Sequence, residues 1–274
     1  MPRRCPARHP ARMATSVRIL VVGDSLAFSL QDTLSRLVDR YDFELRSATY
    51  PGLGIGDESE RLWGGVRAPI PTDWLAERNE RWRELVAGFD PDVALLMTGC
   101  WEVQSTPDLQ FATVEHTTAR FASLNRAIDL LNANGGLVGL VTSPYFARRK
   151  PSPEEQAAAR NFFGVDYMVP PGPFPENRPS RIDWWNSLLL RASENRPAHA
   201  RLVDLGAVLT PTRPEIGAPT GSRGWDTDDG VHFDPDTALP YVERVVPDVL
   251  ALGYARKLRT ERGRAGRDLS RTAW

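Results

Sequence analysis

Lysine is almost missing from this chain. Lys150 and Lys257 are the only two among 34 basic residues, so arginine carries the positive charge. Against 35 acidic residues the formal charge is −1, which excludes the broad basic field that draws a protein to nucleic acid or an anionic membrane. No stretch approaches the ~20 consecutive apolar residues of a membrane span. Cysteine is scarce too. Cys5 and Cys100 cannot make a disulfide framework, and the pair fits a reducing, cytoplasmic setting. The segment from Met1 to Ser16 is rich in Arg and Pro, has no acid and lacks the apolar core of a secretory signal. We expect residues 1–16 to be a disordered lead-in, with Met13 an alternative start. Histidine is limited to His9, His116, His199 and His232, so few residues can serve as an imidazole base.

What remains is an ordinary globular composition over 274 residues, 41% hydrophobic and 25% charged, enough for one sizeable core with an insertion. Val17–Val22 is a β-branched, apolar run and reads as a buried strand. Leu26, Leu30, Leu34, Leu37 and Val38 then recur at helical spacing, so Gly23-Asp24-Ser25 is a strand-to-helix turn. Further strands are expected at 43–48, 93–97, 137–142 and 201–205. Helices are expected at 73–87 with Asp73 as cap, 113–134 closed by Gly135-Gly136, 182–194 and 237–252. The proline-rich residues 143–179 read as a long loop insertion, and 256–274 as a basic, frayed tail. Five strand–helix alternations over 17–255 imply an α/β fold: a three-layer α/β/α sandwich with a five-stranded parallel sheet in flavodoxin-like order. Ligands bind outside the carboxyl ends of such strands, where the unusual motifs fall.

Two of these motifs carry chemistry. Ser25 starts a helix, near orphan backbone N–H groups that can hold an oxyanion, although a serine there can equally be only a helix cap. Asp229-Gly-Val-His232 lets an aspartate orient an imidazole three residues on, which a serine hydroxyl needs before it becomes a nucleophile. His232 alone follows the last strand at the catalytic edge. Asp226 and Asp228 crowd Asp229, but no ligand set has metal spacing, and no metal or organic cofactor is expected. Cys100 reads as a small buried apolar residue. Aromatic residues crowd the loops, Trp63, Tyr145 and Trp225 among them, and suit a sugar ring or an acyl chain.

Together the motifs resemble the SGNH/GDSL hydrolase family from about Val17 to the last helix. The resemblance implies Ser25 as nucleophile, His232 as base and Asp229 as its orienting partner. It also implies an oxyanion hole from the Ser25 and Gly52 N–H groups, with Gly54 a close alternative to Gly52. One block departs. The family's Gly-x-Asn-Asp is here Gly99-Cys100-Trp101-Glu102, so Trp101 stands where an Asn donor is expected. The Trp101 indole, the Gln104 amide and the Cys100 backbone N–H are the candidate replacements. The altered block looks like SGNH domains fused to membrane O-acyltransferases of bacterial surface polysaccharides. Asp24, Gly54, Trp101 and Glu102 are the expected substrate-side residues, with Asp24 also bracing neighbouring loops. The expected activity is hydrolysis of a small-molecule or carbohydrate ester. The alternatives are O-acyl transfer to a sugar or metabolite hydroxyl, and a catalytically silent carbohydrate-binding protein on the same scaffold.

Overall fold

A computed structural model describes residues 16–63, 66–163, 174–215, 226–227 and 229–271. The apolar runs become the strands of one parallel sheet: β1 (Val17–Gly23), β2 (Phe43–Thr49), β5 (Val93–Met97), β6 (Leu137–Val141) and β7 (Ala200–Val203). Their order is β2-β1-β5-β6-β7, all neighbours parallel, which is the flavodoxin-like order. β5 and β6 are buried at every position, as strands covered on both faces must be, whereas the edge strand β2 alternates.

Right-handed crossovers sort the helices into two layers. The helix α1 (Ser25–Ser35), with α8 (Pro235–Val242) and α9 (Val246–Arg271), packs on one face. The other face carries α3 (Thr72–Phe89), α4 (Val114–Leu131) and α6 (Pro179–Asn195). Short helices α2 (Val38–Tyr41) and α7 (Leu205–Leu209) fill connections.

Several expectations are corrected. The stretch 143–179 is not one loop: it contains α5 (Pro153–Phe163) and a 3₁₀ turn at Pro175–Asn177. Its prolines flank the helix instead of interrupting it, and Pro153 occupies the first turn, where a missing N–H costs nothing. A hairpin, β3 (Glu60–Trp63) with β4 (Val66–Pro69), was not foreseen. Asp73 does not cap α3, which begins at Thr72 after Pro71, and α4 ends at Leu131, with Asn132 as its C-cap, before Gly135-Gly136. The last helix breaks at a 3₁₀ turn, Glu243–Val245, and α9 then runs through the supposed frayed tail. Arg256 anchors that helix on Asp90 and Asp92, and Lys257 donates to the Ser16 carbonyl at 2.7 Å. Residues 1–15 and 272–274 lie outside the described residues.

Candidate active site

β1 ends where its chain presses against β5. A Cβ on Gly23 would sit 1.9 Å from the Met97 carbonyl oxygen, and φ is +139°, so only glycine fits. The next residue, Asp24, is the N-cap of α1: its Oδ1 accepts the Leu26 N–H at 2.8 Å. Capping is therefore done by Asp24, and Ser25 is left as the first helical residue, half-buried, at the positive end of the helix dipole.

Asp229 and His232 form a closed turn. Asp229 Oδ1 accepts from Thr227 Oγ1 at 2.7 Å, Val231 N at 2.8 Å and His232 N at 3.0 Å, while Oδ2 pairs with His232 Nδ1. Burial would raise the Asp229 pKa, but the His232 and Thr227 bonds outweigh it and hold the carboxyl well below the usual range. Both side chains are about a third exposed. No hydrogen bond joins Ser25 to His232. Asp226 pairs across a bridge with Phe233; Asp228 and Trp225 lie outside the described residues.

The turn is fixed to the loop after β6. Ala147 N donates to Gly230 O at 2.9 Å and Arg149 N to Asp229 O at 3.3 Å. Between them Arg148 pairs with the fully buried Glu176 at 2.7 Å and reaches Cys100 Sγ at 3.3 Å. Gln104 Nε2 donates to Cys100 O at 3.0 Å and to Glu176 Oε2 at 2.8 Å. Its amide N–H groups are thus engaged, which removes Gln104 from the candidate oxyanion donors. Burial pushes the Cys100 thiol up, against the pull of Arg148, and so disfavours its thiolate.

The other expected residues gather under the loop after β2. Gly52 has φ +82°, and its carbonyl accepts from Arg61. The Arg61 guanidinium lies 4.1 Å over the Trp101 ring, which meets Trp63 edge-on at 5.1 Å. Trp101 and Trp63 are 7% and 2% exposed, so these rings are packed under arginine and offer no open platform for a sugar. The Trp101 Nε1–H is buried without a partner. Glu102 is 1% exposed, and its Oε1 accepts Ile55 N at 2.8 Å. Gly54 rests against that carboxylate, since a Cβ there would lie 2.6 Å from Glu102 Oε1. Asp24 and Glu102 are both buried, and desolvation with their mutual repulsion raises the Asp24 carboxyl well above the usual range. Neither meets solvent, so they act on their loops and not by contact at the surface.

Sequence reasoning missed Arg61, Arg78, Arg120, Arg148 and Glu176. Nothing in a local pattern separates a buried arginine from a solvated one. Two other histidines lie among the described residues, and His9 lies outside them. His116 is fully buried, with Nε2 3.1 Å from Gln104 O, and burial with nearby Arg120 lowers its pKa to about 4. His199 Nδ1 lies 2.7 Å from Asn132 Oδ1 at the amino end of β7.

A family model described as SGNH domain (fused to AT3 domains) matches residues 2–220, stopping before Asp229 and His232. No curated protein matches the sequence. Among solved structures, a GDSL-like lipase from Bacteroides thetaiotaomicron is 14% identical, with a TM-score of 0.52 over 85% of this chain and 87% of that one. The periplasmic domain of a lipopolysaccharide acetyltransferase from Salmonella ser. Paratyphi A is 15% identical, with a TM-score of 0.50 over 85% of this chain and 83% of that one. At such identities the likeness concerns the fold.

Proposed function

Because the chain belongs to the SGNH domain family, we propose that it is a serine-dependent acyl-ester hydrolase acting on an O-acylated small molecule or carbohydrate. The observation that carries this reading is the Asp229–His232 pair: an ionised aspartate, held by three donors, bonded to Nδ1 and leaving Nε2 to act. His232 takes the Ser25 proton as Ser25 Oγ attacks the ester carbonyl. Asp229 stabilises the imidazolium that forms. The Ser25 and Gly52 N–H groups receive the oxyanion. His232 then gives its proton to the leaving alcohol, and water, activated by the same imidazole, releases the acid and frees Ser25.

A second reading replaces water by an acceptor hydroxyl, giving O-acyl transfer. It is favoured by the family description, which concerns SGNH domains fused to a further domain type. Supplying an acyl donor with excess sugar, against water alone, separates the two by product. A cytoplasmic location belongs to the same proposal and rests on cysteine usage; cell fractionation tests it. The central experiment is Ser25→Ala on p-nitrophenyl esters of rising chain length, with phosphonate labelling of the wild type. We expect a loss of at least ~10³-fold in kcat and label on Ser25. Full activity of the variant, or label elsewhere, rejects the assignment.

A further inference from the structure

The loop Gly52–Glu58 is held from beneath by charged side chains that a globular core rarely buries. Arg61 donates to the Gly52 carbonyl, and Arg78 to the Gly54 and Gly56 carbonyls. Glu102 Oε1 accepts the Ile55 N–H at 2.8 Å, and Arg120 pairs with Glu58 at 2.6 Å. These four supports are 6%, 2%, 1% and 4% exposed. Each grips a different part of one loop, and Glu102 holds it by an N–H. Its backbone contact is close: Gly54 could not carry a Cβ without striking Oε1.

The same carboxylate acts electrostatically on the nucleophile's own loop. Asp24, which caps the helix that Ser25 begins, is close enough for Glu102 to be the largest charge acting on it. Asp24 Oδ2 and Glu102 Oε2 are both fully enclosed by the protein. A buried ion pair such as Arg120–Glu58 stabilises a fold poorly, because desolvation offsets the attraction. Well-packed apolar residues would serve stability as well. What the arrangement supplies is register: one side chain ties the Gly52–Ile55 turn to the loop after β5.

We propose that Glu102 is a positioning residue of the oxyanion hole, which by accepting the Ile55 N–H aims the Gly52 N–H at the oxygen of the reacting ester. It would do by acceptance, through the loop, what the family's asparagine does by direct donation. This rests on the acyl-hydrolase reading above.

The test compares the full chain with Glu102→Gln and Glu102→Leu. Glutamine keeps an oxygen for Ile55; leucine does not. Steady-state kinetics on p-nitrophenyl acetate should show Glu102→Gln within a few-fold of wild type. Glu102→Leu should lose ~10²-fold or more in kcat with KM little changed, the mark of an interaction made in the transition state. Phosphonate labelling of Ser25 should slow in step with kcat. If Glu102→Leu does not fold, Gly54→Ala displaces the same contact without removing the charge and should lower kcat alone. A folded Glu102→Leu or Gly54→Ala with wild-type kcat overturns this proposal, as does equal loss in the Gln and Leu variants. A wild type that phosphonate does not label at Ser25 overturns the acyl-hydrolase reading and this one together; a labelled wild type with an indifferent Glu102 overturns this one only.

Discussion

The two halves of the candidate site are built in opposite ways. The Asp229–His232 half is local: four consecutive residues and Thr227 close a turn, with side chains about a third exposed. The half under Gly52 is assembled from afar. Arg61, Arg78, Glu102 and Arg120 come from a hairpin, two helices and the loop after β5, and all are buried. A proton relay needs one short contact in the right tautomer, which a turn provides. An oxyanion hole needs backbone donors held still against a charge that appears only in the transition state, and that takes a scaffold.

The contrast can be broken by substitution. The largest effect should come from Asp229→Asn. Its retained Oδ1 can keep the turn closed, but Oδ2 no longer fixes His232 Nδ1–H, so kcat should fall by ~10⁴-fold with an unchanged circular dichroism spectrum. Unfolding, or a loss below tenfold, would count against a catalytic pair. Next, Arg61→Ala and Thr227→Ala should separate. Arg61→Ala frees the Gly52 carbonyl and uncovers Trp101, and a misplaced donor loop costs ~10²-fold in kcat. Thr227→Ala removes one of three donors to Asp229 Oδ1, which Val231 and His232 still supply, so its cost should stay within tenfold. Equal losses would erase the distinction between a redundant turn and a non-redundant scaffold.

The smallest effect concerns pH and belongs to the scaffold side. His116 braces the Gln104 carbonyl, and its folded pKa is lowered from 6.5 to about 4. Between those values the unfolded chain binds a proton that the folded chain refuses. Stability from this group is therefore complete above pH 6.5 and lost as pH falls toward 4, by at most about 1.4 kcal/mol per pH unit. Thermal unfolding at pH 7 and pH 5 should show a steeper loss in wild type than in His116→Gln. Parallel slopes would remove His116 from the account.

Legibility followed the same division. Sheet order and strand positions could be read because apolar β-branched runs and helical spacing are local signals. Asp229 and His232 were legible because their partnership spans three residues. The hairpin was missed because β3 and β4 are four residues each and charged, too short for alternation to show. Glu102 was singled out by its departure from a family block, yet its contact with Ile55, 47 residues away, has no sequence signature. The tail was misread because its arginines suggested solvation, although Arg, Leu and Ala are also strong helix formers.

That last helix has a practical consequence. Arg256 and Lys257 fasten α9 to Asp92 and Ser16, which precede strands β5 and β1. The helix therefore leaves the sheet at the edge opposite Ser25, and its course to Arg271 carries it on the order of 20 Å farther at 1.5 Å per residue. A tether placed after Arg271 would hold the molecule by a built-in spacer. Immobilised that way on a bead or a sensor chip, the protein would present its Ser25 edge to the solution.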